Sequence, residues 1–131
     1  MVTFDETITV YNPEYDDSAG YDVYHKTVIT GCSWFTQHGA GQDGTALHRE
    51  NLHKIRIPNT AKCDKHYVAP TEFTDPATQY TLRPGDRIVK GVGADITRTD
   101  DLEGVCYDRC IILGVHDNRR VGLKHIYVEG K

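Results

Sequence analysis

Apolar and polar residues alternate with a period of two along several short stretches of this chain, as in β-strands with one buried face. Residues 6–11 alternate in this way and are rich in β-branched side chains, so they predict a strand that ends at Asn12-Pro13. Residues 21–29 alternate again, and the pattern continues through Gly31 to Phe35. It predicts one long strand with a bulge or bend at Gly31.

Shorter apolar runs, separated by glycine and proline, predict the remaining strands. They are residues 52–57, 80–82, 86–92, 107–115 and 124–128. Within residues 52–57, Ile55 and Ile57 point to one face while Lys54 and Arg56 point to the other, and Pro58 is expected to end the strand. A polar turn at residues 117–120 is expected to join the last two strands.

Turn and helix signals complete this outline. Proline presets one turn angle and glycine accepts a positive φ, so Arg83-Pro84-Gly85 predicts a type II turn within a hairpin or between two strands. Single helical turns are expected at residues 70–73 and 97–104. Together these elements predict one all-β domain over residues 1–131, a small six- or seven-stranded β-barrel with one or two short helices.

Residues 37–49 differ in composition from the predicted strands on either side. They contain three glycines and few apolar side chains. Such a segment does not recover the entropy of ordering by burial, so we expect a long mobile loop that joins two strands.

Length and charge narrow the function classes. The chain has 131 residues and a mass of 14.8 kDa, enough for one core. It contains no run of about 20 apolar residues, so no membrane partner is expected, and its acidic start does not resemble a signal peptide. A net charge of −4 argues against a protein that wraps nucleic acid.

The four cysteines are sparse, and we interpret them as reduced thiols in a cytosolic product. Cys63-x-x-His66 and Cys106-x-x-x-Cys110 are the candidate zinc ligands, but their spacing fits a tetrahedral site only in part, so core or surface thiols are favoured. No cysteine has the local signature of a catalytic nucleophile. We therefore expect neither enzymatic activity nor a cofactor.

Four aromatic residues lie close together along the predicted hairpin: Tyr21, Tyr24, Trp34 and Phe35. Few basic residues are interleaved with them. Packing against the core and against neighbouring strands is therefore favoured over a platform for stacking bases.

Six collinear pieces of the sequence carry a resemblance to a known group of proteins. They are Tyr11-Asn12-Pro13, Gly20-Tyr21-Asp22-Val23-Tyr24, residues 27–34 (T-V-I-x-G-x-S-W), Arg56-Ile57-Pro58, residues 82–91 (L-x-P-G-D-x-I-V-x-G) and residues 117–128. With these pieces the chain resembles the head-tail joining proteins of tailed bacteriophages of Gram-positive hosts, of the stopper or head-completion type. These proteins are often described as minor capsid proteins.

The resemblance implies a β-barrel that forms a homo-oligomeric ring, a hexamer or dodecamer, below the portal or adaptor and above the tail. It implies a virion protein that is present in the host cytoplasm before assembly. Double-stranded DNA passes through such a ring without sequence-specific binding. Edge strands and the irregular stretch 58–79 are the expected contacts between subunits.

In such rings the loop between the second and third strands projects into the axial channel and closes it over packaged DNA. Residues 37–49 occupy that place here, and the candidate channel residues are Gln37, His38, Gly39, Gly41, Gln42, Asp43, Gly44, His48 and Arg49. The glycines supply hinge freedom, and His38, His48 and Arg49 could contact phosphate.

Three alternatives stay open at this point. The chain could form another ring of the same connector, namely an adaptor, a tail terminator or a tail-completion protein. It could be a small zinc-stabilised binding module, which would lose its fold with its metal. It could also be a nucleic-acid-binding β-barrel, whose affinity would depend steeply on salt.

Overall fold

Short β-strands make up most of the described part of the chain. The computed structural model describes residues 4–18, 20–37, 52–93, 95–96, 109–117 and 125–131. The strands are β1 (Glu6–Asp16), β2 (Tyr21–Gln37), β3 (Leu52–Pro58), β4 (Lys62–Cys63), β5 (His66–Tyr67), β6 (Gln79–Tyr80), β7 (Arg87–Lys90), β8 (Arg109–Asp117) and β9 (His125–Gly130). A single turn of 3₁₀ helix spans Pro70–Glu72. None of the helical structure seen in these ranges is long enough to cross a membrane.

Six of these strands close into a ring. Their order is β1-β7-β8-β9-β3-β2, and β2 pairs back onto β1. Every neighbouring pair in the ring is antiparallel. A sheet that closes on itself is a barrel, so the ring confirms the predicted all-β architecture. Strand β4 pairs with β2 beside the ring, and β5 and β6 form a separate parallel pair.

The interior of the ring is filled by one face of each strand. In β3 and β9 every second residue is buried, as the period of a strand requires when one face meets a core. Most of the core side chains are isoleucine, valine and leucine: Ile8, Val10, Ile29, Ile55, Ile57, Leu82, Ile88, Ile112, Ile126 and Val128. Burial of these branched side chains supplies the main stabilising term of the fold.

A second, smaller apolar cluster lies on the outside of β1 and β7. It contains Tyr11, Val89 and Ile96. The chain after β7 is held over this cluster by Thr9, whose hydroxyl donates to the carbonyl of Gly91 at 2.8 Å and accepts the N–H of Gly93 at 2.8 Å. The outer face of these two strands is therefore covered by the chain itself.

Strand β1 continues beyond its predicted end. It does not stop at Asn12-Pro13 but runs to Asp16, paired with β2 throughout. The carbonyl of Pro13 accepts a hydrogen bond from Arg83 at 3.0 Å, on the side away from β2. Because the N and C=O of one strand residue point the same way, the missing N–H of Pro13 costs no bond to β2.

The predicted bend in β2 is confirmed. Gly31 has φ +84°, and the β1–β2 register shifts at this point, from Glu6 opposite Cys32 to Thr7 opposite Thr30. A positive φ at the shift is the conformation that glycine adopts without steric cost.

The turn at Arg83-Pro84-Gly85 is also present, with Gly85 at φ +96° and the N–H of Asp86 bonded to the carbonyl of Arg83 at 3.0 Å. The hairpin interpretation is wrong, because β6 pairs with β5 whereas β7 pairs with β1 and β8. Strand β7 also ends earlier than expected, at Lys90. Gly91 follows it at φ +92° and donates its N–H to the carbonyl of Thr7.

Other expected elements are shifted or fall outside the described ranges. The helical turn near residue 70 is confirmed as the 3₁₀ helix, and Pro58 is the last residue of β3 rather than the residue after it. The expected helical turn at residues 97–104, the start of the strand predicted at 107–115 and the turn residues 118–120 lie outside the described residues.

Candidate protein-interaction surfaces

Of the predicted channel residues, Gln37 is the one that lies within the described residues. Gln37 is the last residue of β2 and pairs with Leu52, so it belongs to a strand and not to a loop as expected. The other candidates, His38, Gly39, Gly41, Gln42, Asp43, Gly44, His48 and Arg49, lie outside the described residues. Gln37 and Leu52, the described residues on either side of residues 38–51, are Cα partners in the β2–β3 pairing.

The three zinc candidates within the described residues lie on three different strands. Cys110 lies in the barrel core, and burial raises the pKa of its thiol to about 12. His66 is exposed on β5, and Cys63 is half-buried on β4, where its sulfur accepts the N–H of Lys65 at 3.3 Å. Cys106 lies outside the described residues. Within those residues, no three side chains of histidine, cysteine, aspartate or glutamate form a group that could hold a metal ion.

Within the described residues, the end of β1 and the start of β2 continue together beyond β7 as a two-stranded arm. Strand β1 pairs with β7 only from Ile8 to Tyr11, whereas its pairing with β2 continues to Asp16 opposite Tyr21. We define the arm as residues 12–18 and 20–25. Strands rise by about 3.3 Å per residue, so its five residue pairs beyond Tyr11 extend over about 16 Å.

A buried polar network fixes the base of the arm. The side-chain amide of Asn12 donates to the carbonyl of Thr81 at 2.7 Å and to the carboxylate of Asp86 at 2.9 Å, and its oxygen accepts the N–H of Thr81 at 3.2 Å. Arg83 also donates to Asp86, at 3.3 Å. Burial raises the pKa of Asp86, while the charge of Arg83 and the amide of Asn12 oppose that rise. The network ties the arm to the chain before β7.

The outer part of the arm combines tyrosines with carboxylates. The side chains of Tyr15 and Tyr21 are each 60% exposed. The carboxylate residues of the arm are Glu14, Asp16, Asp17 and Asp22. Glu14 lies 3.2 Å from the ring of His25. Shallow clefts of about 340 and 310 Å³ flank Glu14 and Tyr15.

A second exposed surface lies on the outside of strands β2, β3, β9 and β8. We call it the β9 face and define it by six outward side chains: Phe35, Lys54, Arg56, Leu113, His116 and Tyr127. Register places Phe35 opposite Lys54, Arg56 opposite Tyr127, and His116 opposite Tyr127. Phe35 is 57% exposed and Leu113 is 52% exposed. Glu129 also lies outward, opposite Lys54, so the surface is aromatic and carries two basic side chains and one acidic side chain.

Tyr127 lies at the centre of this face. The guanidinium of Arg56 lies 5.0 Å from the centroid of its ring, and the ring of His116 stacks on it at 5.9 Å. The Tyr127 hydroxyl donates to the carboxylate of Glu129 at 2.9 Å. Burial and this carboxylate raise the pKa of Tyr127, so the hydroxyl stays protonated at neutral pH. The contacts hold three side chains on adjacent strands in a fixed arrangement.

A comparison with models of known protein families identifies the family of this chain. The family model described as "Family of unknown function (DUF6751)" matches residues 2–131. The chain belongs to this family. No curated protein and no solved structure matches it.

The two surfaces of this DUF6751 member were only partly visible in the sequence. The outward position of Lys54 and Arg56 is confirmed, since both alternate with buried residues in β3. Tyr24 and Trp34 pack against the apolar clusters as expected, but Tyr21 and Phe35 do not. Tyr21 is exposed because it lies on the arm, and Phe35 is exposed because it lies on the outer side of β2. The sequence shows the acidic residues Glu14, Asp16, Asp17 and Asp22, but not that they lie on an arm.

Proposed function

We propose that this DUF6751 protein is a non-catalytic structural subunit of a bacteriophage head-tail connector. In this proposal its copies form a ring below the portal or adaptor and join the tail, and double-stranded DNA passes through the ring. The protein is in the virion after assembly and in the cytoplasm of the bacterial host before it. The motif resemblance and the closed all-β barrel, the architecture that the resemblance implies, support this assignment.

The observation that carries the proposal is the exposure of large apolar and aromatic side chains on two separate surfaces. Tyr15 and Tyr21 are exposed on the arm, and Phe35 and Leu113 are exposed on the β9 face. Exposed apolar groups that are clustered on a protein surface mark contacts with other proteins. A subunit within a ring needs two such surfaces, one for each neighbour.

The channel role of residues 37–49 stays a prediction from the resemblance. Among connector positions, we propose the stopper or head-completion ring, the type to which the resemblance was drawn. An adaptor, tail terminator or tail-completion ring is distinguished from it by its neighbours in the assembled particle.

The proposed connector function is tested on phage particles. Phage particles produced by a host that carries the gene are purified and their proteins identified by mass spectrometry, and the gene is then deleted. We expect the chain to be present in intact particles, and its deletion to leave heads without attached tails in electron micrographs. A plasmid copy of the gene should restore tailed particles. Tailed, infective particles that lack the chain would contradict the proposal.

A further inference from the structure

We propose that the acidic arm of one copy docks on the β9 face of a second copy, and that this contact joins the subunits of the ring. The inference rests on the proposed function, because it assigns the surfaces through which the ring forms. Three observations support it: the position of the two surfaces around the barrel, their charges and their exposed side chains.

The two surfaces are centred on opposite sides of the ring of strands, although the β9 face extends to β2 through Phe35. The order β1-β7-β8-β9-β3-β2 places β9 three strands from β1 in either direction around the ring. The arm extends from β1 and β2, whereas Tyr127 of β9 is the centre of the β9 face. A contact between different surfaces on opposite sides of identical subunits is heterologous, and it generates a closed ring when the rotation between neighbours closes.

The charges of the two surfaces are complementary. The carboxylate residues of the arm, Glu14, Asp16, Asp17 and Asp22, give it a formal charge equal to the −4 of the whole chain, so the remainder of the chain is neutral overall. The β9 face presents Lys54 and Arg56. Glu129, which is opposite Lys54 on β3 and Gly114 on β8, accepts a hydrogen bond from the hydroxyl of Tyr127, and with this carboxylate the face keeps a net formal charge of +1. An acidic projection that meets a basic surface fixes orientation and disfavours like-charged contacts.

The exposed side chains also match in type. Tyr15 and Tyr21 are amphipathic and cost little conformational entropy when they are immobilised. On the β9 face, the guanidinium of Arg56 already lies over one tyrosine ring, and Phe35 and Leu113 offer exposed apolar area beside it. Aromatic residues and arginine are the residue types enriched at the centres of protein interfaces.

Charge reversal tests the contact. One variant, Asp17→Lys with Asp22→Lys, replaces two of the four arm carboxylates by lysines and brings the formal charge of the arm from −4 to zero. A second, Lys54→Glu with Arg56→Glu, makes the β9 face acidic. Sedimentation velocity and light scattering at low salt measure self-association, and near-ultraviolet circular dichroism checks that each variant keeps its fold. Lys62→Glu and Asp64→Lys, on and just after β4, are controls that each reverse a single charge of one sign outside both surfaces. We expect each double reversal to weaken self-association by about tenfold or more, and the controls to leave it unchanged.

Mixing separates a specific contact from a general charge effect. In an equimolar mixture, the two new arm lysines of the first variant meet the acidic β9 face of the second, and the unchanged acidic arm of the second meets the unchanged β9 face of the first. We therefore expect association to recover in the mixture and in a chain that carries all four substitutions. Recovery in neither would overturn the arm-to-face contact.

Failure of this inference is distinguishable from failure of the proposed function. If the wild type associates and both reversals leave association intact, the contact is wrong, and this result does not contradict a ring protein that assembles through other surfaces. If the wild type stays monomeric at millimolar concentration and a carbodiimide joins no arm carboxylate to Lys54, the contact is also wrong. If Lys54→Glu with Arg56→Glu abolishes salt-dependent binding of single-stranded DNA but not self-association, the β9 face binds nucleic acid instead. The particle experiment judges the connector role independently.

Discussion

Replacement of Asn12 by alanine tests whether the polar network at the base of the arm stabilises the fold. The Asn12 side chain is 1% exposed and makes three hydrogen bonds, two to the backbone of Thr81 and one to the carboxylate of Asp86. Asn12→Ala leaves the N–H and C=O of Thr81 without these partners and removes one donor from Asp86. Each buried polar group left without a partner costs about 1–3 kcal/mol.

Asp86 keeps the hydrogen bond from Arg83, so only the N–H and C=O of Thr81 are counted as groups left without a partner. At about 2 kcal/mol or slightly less for each group, we expect the unfolding free energy to fall by about 3–4 kcal/mol. For a domain of this size, that loss lowers the melting temperature by about 10–15 °C. Urea unfolding followed by the fluorescence of Trp34 measures it, with an unchanged dependence on urea concentration. Asn59→Ala, at an exposed position after β3, is the control and should change stability by about 0.5 kcal/mol or less. A loss below about 1 kcal/mol for Asn12→Ala would refute the network's role.

Three further predictions follow from the same structure. Cys32 and Cys110 are buried, and the pKa of each thiol is raised to about 12. Iodoacetamide at pH 8 should therefore leave both cysteines unmodified in the folded protein and alkylate both after unfolding, which peptide mass mapping measures. Replacement of residues 38–51 by Asn-Gly should leave a cooperative melting transition within a few degrees of the wild type, because Gln37 and Leu52 are already paired; loss of that transition would contradict a barrel that closes without the segment. Burial raises the pKa of Asp86 above 3.8, so the folded protein favours the protonated carboxyl. The unfolding free energy of the wild type, measured relative to that of Asp86→Asn, should therefore fall as pH rises from 3.8 through the raised pKa. A difference that does not change with pH would contradict this sign.

The barrel itself was predictable from sequence because its signals are local. Alternation in residues 52–57 and 124–128 identifies strands whose buried faces meet a core, and Gly31 and Gly85 mark positions where the backbone adopts a positive φ. Each of these features depends on residues close together in the sequence.

The arm was not predictable, because it depends on a long-range interaction. Proline normally ends a strand, and the sequence around Pro13 gives no sign that Arg83, 70 residues away, bonds its carbonyl. The β9 face was predictable only in part. The outward direction of Lys54 and Arg56 follows from alternation, but the stack with Tyr127 and His116 requires the strand order β3-β9-β8, which no local pattern contains.

Crosslinking within purified phage particles tests the central claim most directly. A carbodiimide joins carboxylates to lysines without a spacer. Lys54 pairs with Phe35, which lies 13 residues from Asp22 along β2, or about 40 Å of strand, so a bond between Asp17 or Asp22 and Lys54 is expected to join two copies. We expect mass spectrometry to find the chain in the particles and to find this crosslinked peptide pair. Particles that lack the chain would contradict the connector role, and particles that contain it with Lys54 unlinked to any arm carboxylate would contradict the proposed contact.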